Sequence, residues 1–169
     1  MSRYVRKLIN KNWLDKEIVS KNVWLDPDFI LADALRNFTS SKNELSVFLL
    51  ENDDQIELIL SAIVASSKSL DNTDYVIIDR SLIDSLDIAI EEDLGKTLNN
   101  SINKLHLNLT QLSAEKVLKL ARAIQEQGQI GRINKNRIAA AIQRQIVEGH
   151  LNENELTDEV RDKVKRFQT

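Results

Sequence analysis

Apolar positions recur along this chain with two different periods, and each period predicts its own kind of element. The strongest helical signal runs from Ser113 to Gly149. Val117, Leu120, Ala121 and Ile124 follow i, i+3, i+4, i+7 spacing, and Ile138, Ile142 and Ile146 recur at every fourth position. Ser113 is placed to cap the first helix, and Gly128 to end it in a left-handed conformation. Glu115 precedes Lys119 by four, the favourable order for an ion pair on a wet face. The second helix starts near Asn134 or Asn136, gains propensity from Ala139, Ala140 and Ala141, and ends at Gly149. Because the connection Gln127 to Asn134 is short, the pattern predicts a helical hairpin whose two helices lie against each other.

Upstream the period shortens. Leu45, Val47 and Leu49 alternate while Phe48 and Leu50 fill the other face, which predicts an interior strand over 44–51. Asn52 and Gln55 form a capping-box start for a helix striped by Ile56, Ile59, Leu60, Ile63 and Val64. Tyr75 to Asp79 is a second apolar strand. Strand, helix, strand suggests a β-α-β crossover, parallel and right-handed, with an antiparallel arrangement as the alternative. Val5, Leu8, Ile9, Trp13, Leu14 and Ile18 fit a loose helix, and 22–25 a short strand. Trp13 and Trp24 read as core anchors. Asp26-Pro27 starts a helix carrying Leu31, Leu35 and Phe38. Residues 81–90 suit a helix, with a strand as the competing reading of their end. Thr97 caps a short helix with Leu98, Ile102, Leu105 and Leu109 on one face. Asn152 and Glu155 form a capping box before a terminal helix striped by Leu156, Val160, Val164 and Phe167.

The fold class that follows is α+β and helix-rich. Residues 1–110 form an α/β-type part with a small sheet, and residues 111–169 a helical part of hairpin plus terminal helix. The two are either separate parts or one continuous domain.

Composition narrows the chemistry. The 169 residues are 42% hydrophobic and 29% charged, an ordinary balance for a globular protein. With no cysteine, disulfides, thiolate metal sites and cysteine nucleophiles are excluded. No apolar run follows the basic residues near Met1, and none approaches the roughly 18 residues of a membrane span. The expected setting is cytoplasmic, bacterial in style, with no membrane partner. The net charge is −3, but it is segregated: residues 51–93 hold twelve acids against Lys68 and Arg80, and 110–147 hold seven bases against Glu115 and Glu126. Such asymmetry speaks of partners, another protein or a second copy in a homodimer.

Few motifs carry chemistry. Gly95-Lys96-Thr97 resembles the tail of a phosphate loop, but Ile90 stands where the wrapping glycine belongs, so a helix-start turn is favoured. Asp79 ends an apolar strand and could act with Asp74, Asp84 or Asp87 as a magnesium site, although no spacing demands it. His106 sits at the edge of an apolar stripe as a packing histidine, and His150 at a helix end. The remaining candidate is a basic interaction surface of Arg132, Lys135, Arg137 and Arg144, with Asn134, Asn136, Gln143 and Gln145 able to touch bases. No catalytic, cofactor or metal residues are assigned. The favoured function is a small non-enzymatic protein-interaction or regulatory module of accessory, immunity or antitoxin kind. The alternatives are a nucleic-acid-binding regulator using 127–147 and a metal-dependent phosphoryl-handling enzyme at Asp79.

Overall fold

In a computed structural model, the structure describes residues 2–9, 11–14, 33–38 and 43–166. The strands among them are β1 (Arg3–Leu8), β2 (Leu45–Leu50), β3 (Thr73–Asp79), β4 (Ala89–Glu92), β5 (His106–Thr110) and β6 (Gln129–Ile133). The α-helices are α1 (Asp33–Phe38), α2 (Gln55–Ala65), α3 (Arg80–Ser85), α4 (Asn100–Asn103), α5 (Ala114–Gln127), α6 (Lys135–Val147) and α7 (Asp158–Lys165), with 3-10 turns at Asn12–Leu14 and Glu153–Glu155. One six-stranded sheet runs in the order β4-β5-β2-β1-β3-β6, every neighbouring pair antiparallel. The α+β class therefore holds, and helix exceeds strand. Among the described residues no helix is long and apolar enough to cross a membrane.

The sheet is covered on both faces. Val5, Phe48 and Leu50 pack with α2, α6 and α7 through Ile59, Leu60, Ile138, Ile142, Val160 and Val164. Tyr4, Val47, Val76, Ile78 and Leu109 face the other way, onto Trp13, α1, α3 and α5 through Phe38, Ile83, Leu120 and Ile124. Strand alternation sends successive side chains to opposite faces, so the central strands must be apolar at both parities. Each fully buried aliphatic side chain contributes about 1.5–3 kcal/mol. Trp13 is wholly buried, edge-on to Phe38 at 5.7 Å.

Two expectations are corrected and one is refined. Residues 3–8 form a strand and not a helix: the adjacent Tyr4 and Val5 are buried in opposite cores, one on each face of the sheet, as the alternation of a central strand requires. This strand lies between β2 and β3, antiparallel to each. The unit β2-α2-β3 is thus a β-α-β crossover whose two strands run parallel in one sheet, but β1 lies between them and they are not hydrogen-bonded to each other. The hairpin of α5 and α6 does not form. Gln129-Ile130-Gly131-Arg132-Ile133 between them is an edge strand on β3. The chain turns round the sheet edge there, leaving α5 on one face and α6 on the other.

Smaller shifts have local causes. Gly128 has φ −67° and ψ 136°, so it leads straight into β6. A Cβ there would meet the Ile124 carbonyl oxygen at 2.3 Å, and glycine is needed for space rather than for a left-handed turn. Residues 106–110 are β5 and not the end of a helix; Asn99, not Thr97, caps the four-residue α4. Residues 80–92 contain both alternatives in succession, α3 and then β4. Asp54, not Asn52, stands at the N-cap of α2. Asn152 caps only the 3-10 turn, and α7 begins after Thr157. Ile18, residues 22–25, the Asp26-Pro27 start, Leu31 and Phe167 lie outside the described residues.

Candidate functional site

The register of β3 and β6 decides where the basic residues go. Arg132 stands opposite Asp74. Asp74 alternates with Tyr75 and Ile77, so both side chains lie on the face of Val76 and Ile78, away from α6. There Arg132 donates from Nε to Asp74 Oδ1 at 2.7 Å and from Nη2 to Oδ2 at 2.8 Å. This two-point pairing raises the Arg132 pKa above its ordinary value, hydrogen bonding to Asp74 contributing most. On the opposite face, Arg137 donates from Nε and Nη2 to Glu57 Oε2 at 2.9 and 2.5 Å. Arg144 is exposed, and neither its guanidinium nor the Lys135 ammonium has a partner among the described residues. The four residues therefore do not make one basic surface, because strand alternation splits them between faces and two are neutralised.

The same packing absorbs the charge segregation. Arg132–Asp74, Arg137–Glu57 and Lys116–Asp87 (3.5 Å) each join the acidic 51–93 segment to the basic 110–147 segment inside one subunit. These pairs satisfy part of the segregated charge within one subunit and leave Lys135, Arg144 and Asp54 without a partner among the described residues.

What the fold builds instead is a cleft of about 570 Å³ between the start of α2, the length of α6 and the β3–β6 edge. Tyr75, Ile77 and Ala141 supply apolar lining. The Tyr75 ring lies directly over Gly131: a Cβ on that residue would stand 2.2 Å from the ring Cζ. An isolated glycine in an alternating run signals such a close approach, and it is the one sequence feature that marks both the strand and the cleft. At the base, buried Gln145 accepts from Asn99 Nδ2 at 2.7 Å and donates to Ser61 Oγ at 2.6 Å. It ties α6 to α4 and α2 and cannot reach a base, contrary to expectation. Asn134 is likewise occupied as the cap of α6, accepting from the Arg137 amide.

The cleft is more acidic than the sequence suggests. Asp53, Asp54, Glu57 and Glu148 line it together with Arg132, Arg137 and Arg144, and the Arg132 guanidinium is bonded to Asp74. Asp53 is held by Arg3 at 2.9 Å and Glu57 by Arg137. Asp54 has no partner among the described residues, and Glu148 has only His150 at 3.9 Å.

The other candidates are dispersed. Asp79 is exposed at one end of β3 and Asp74 lies near the other; Asp84 is held by Arg80 at 2.7 Å and Asp87 by Lys116. Among the described residues no three acids or histidines stand together as metal ligands. In Gly95-Lys96-Thr97 the Thr97 amide and hydroxyl both donate to Asn103 Oδ1 at 2.8 Å, so the turn is closed on its own side chain. His106 is a packing histidine, its Nδ1 3.0 Å from the Asp93 carbonyl and its ring edge-on to Phe48 at 5.1 Å. No protein-family model, no curated protein and no solved structure matches the chain.

Proposed function

We propose that this chain is a small, cytoplasmic, non-enzymatic protein-interaction or regulatory module whose partner docks on the cleft between α2, α6 and the β3–β6 edge. One observation carries the reading. The arginines best placed to neutralise phosphates are spent on Asp74 and Glu57, while an open cleft of mixed charge lies beside them. Apolar lining with a charged rim suits a protein surface. A nucleic-acid backbone would meet Asp53, Asp54, Glu57 and Glu148 there, where each engaged phosphate needs a cation.

Capture of partners from the native host tests this, using the full chain and the double variant Asp54→Lys/Arg144→Glu, both positions being exposed. The expected result is a partner retained by the wild type and lost by the double variant, with no saturable binding of duplex or single-stranded oligonucleotides at physiological salt. Micromolar oligonucleotide binding that falls steeply with salt and disappears in Arg137→Glu/Arg144→Glu would establish the nucleic-acid reading instead. A partner captured equally by wild type and double variant would place docking elsewhere.

A further inference from the structure

The two edges of the sheet are unlike. β4 is four residues long and carries Glu91 and Glu92, with Asp93 beyond: short and charged, as edges that must not pair usually are. β6 at the other edge has five residues and a single charge, Arg132, which is folded down onto Asp74. Ile130 is left 42% exposed at this edge, and Gly131 adds no side chain to screen the backbone. An antiparallel strand bonded on one side leaves alternate amides and carbonyls directed outward. Among the described residues nothing pairs with those of β6.

We propose that β6 is an acceptor strand: an extended segment of a partner protein, alternating apolar and basic residues, adds to its open edge and places alternate side chains in the cleft. This rests on the protein-interaction reading above and adds the mode of docking and the chemistry of the partner. An added strand lies about 4.8 Å beyond β6. Its side chains on the α6 face pass over the cleft, where Tyr75 and Ile77 accept an apolar group and the unpaired carboxylate of Asp54, with Glu148, accepts a lysine or arginine. On the opposite face an apolar residue covers Ile130. Main-chain bonds supply affinity and the alternate pockets supply selectivity. An acidic or phosphorylated segment meets Glu148 and the unpaired Asp54, with Arg144 the one lining arginine not bonded to a carboxylate among the described residues, and is disfavoured.

The test selects binders to the immobilised full chain from a library of random dodecapeptides, then measures the strongest binder with a single N-methyl group moved along its backbone. Selected peptides are expected to be extended in pattern and basic. N-methylation is expected to cost at least tenfold in affinity at every second residue and little between, and Ile130→Lys and Asp54→Asn, the latter keeping a favourable N-cap residue, should each weaken binding severalfold with the thermal transition unchanged. No binder, an acidic or helix-period consensus, or a methyl scan without the two-residue period would overturn the proposal. A dimer broken by Ile130→Lys would overturn it in favour of a second copy of the chain. Should a protein partner be lost in the Asp54→Lys/Arg144→Glu variant while the library yields no strand-type binder, docking at the cleft survives and strand addition fails. If neither appears, both fall.

Discussion

The ring of Tyr75 crosses Gly131 on the neighbouring strand, with room for a hydrogen at that Cα and none for a methyl group. The contact lies at a ring that lines the cleft, so a side chain at position 131 would displace that ring.

Gly131→Ala is accordingly expected to push the half-buried Tyr75 ring from its place and to destabilise the protein by about 0.5–1.5 kcal/mol, the usual cost of a side chain forced off its rotamer. Tyr75→Ala should relieve most of that penalty. A double-mutant cycle by urea denaturation measures the coupling, and additive losses would show that ring and glycine do not constrain each other.

Gln145→Leu leaves the Asn99 amide and the Ser61 hydroxyl without the partner they have at 2.7 and 2.6 Å. The orphaned Asn99 donor costs roughly 1–3 kcal/mol, while the Ser61 hydroxyl keeps its bond to the Leu58 carbonyl. The expected outcome is a lower urea midpoint with an unchanged slope. A midpoint equal to the wild type would mean that water replaces the glutamine.

Arg132–Asp74, Arg137–Glu57 and Lys116–Asp87 satisfy part of the charge complementarity within the subunit. The protein should therefore sediment as a monomer at both low and high salt. Arg137→Gln should cost only about 0.2–1 kcal/mol, since the pair is exposed. A dimer at low salt that dissociates at high salt would show that the two segments also meet between copies.

Arg6 carries the pH prediction. Its guanidinium donates to the Asn37 carbonyl at 3.1 and 2.5 Å and to the Ser46 carbonyl at 2.6 Å, and burial pushes its pKa down to about 10. The folded state releases this proton near pH 10 while the unfolded state keeps it to higher pH. More protons are then bound in the unfolded chain, so the stability contributed by Arg6 rises with pH above about 10 and is flat from pH 7 to 9. Compared with Arg6→Met, the wild type should gain at most about 1.4 kcal/mol per pH unit in that range. A constant difference across the range would show that Arg6 keeps its ordinary pKa.

Local periodicity carried much of the chain unaided. The stripes of α2, α5, α6 and α7 and the alternation of β2 and β3 are statements about which side chains share a face, and that follows from backbone geometry alone. Caps at Ser113 and Asn134 and the Glu115–Lys119 pair at 2.6 Å are equally local. Pairing is not local. Whether Tyr4-Val5 is helix or strand depends on β2 and β3 standing on either side of it, where the partners of Tyr4 are Leu49 and Ile78, 45 and 74 residues further on. Whether 129–133 is loop or strand depends on the free edge of β3. The candidate site was legible to the same degree: four basic residues could be named from spacing, but their charge state could not. Sheet register put Arg132 opposite Asp74, and helix packing put Arg137 against Glu57, so a basic run in one dimension became a half-neutralised, carboxylate-lined cleft in three.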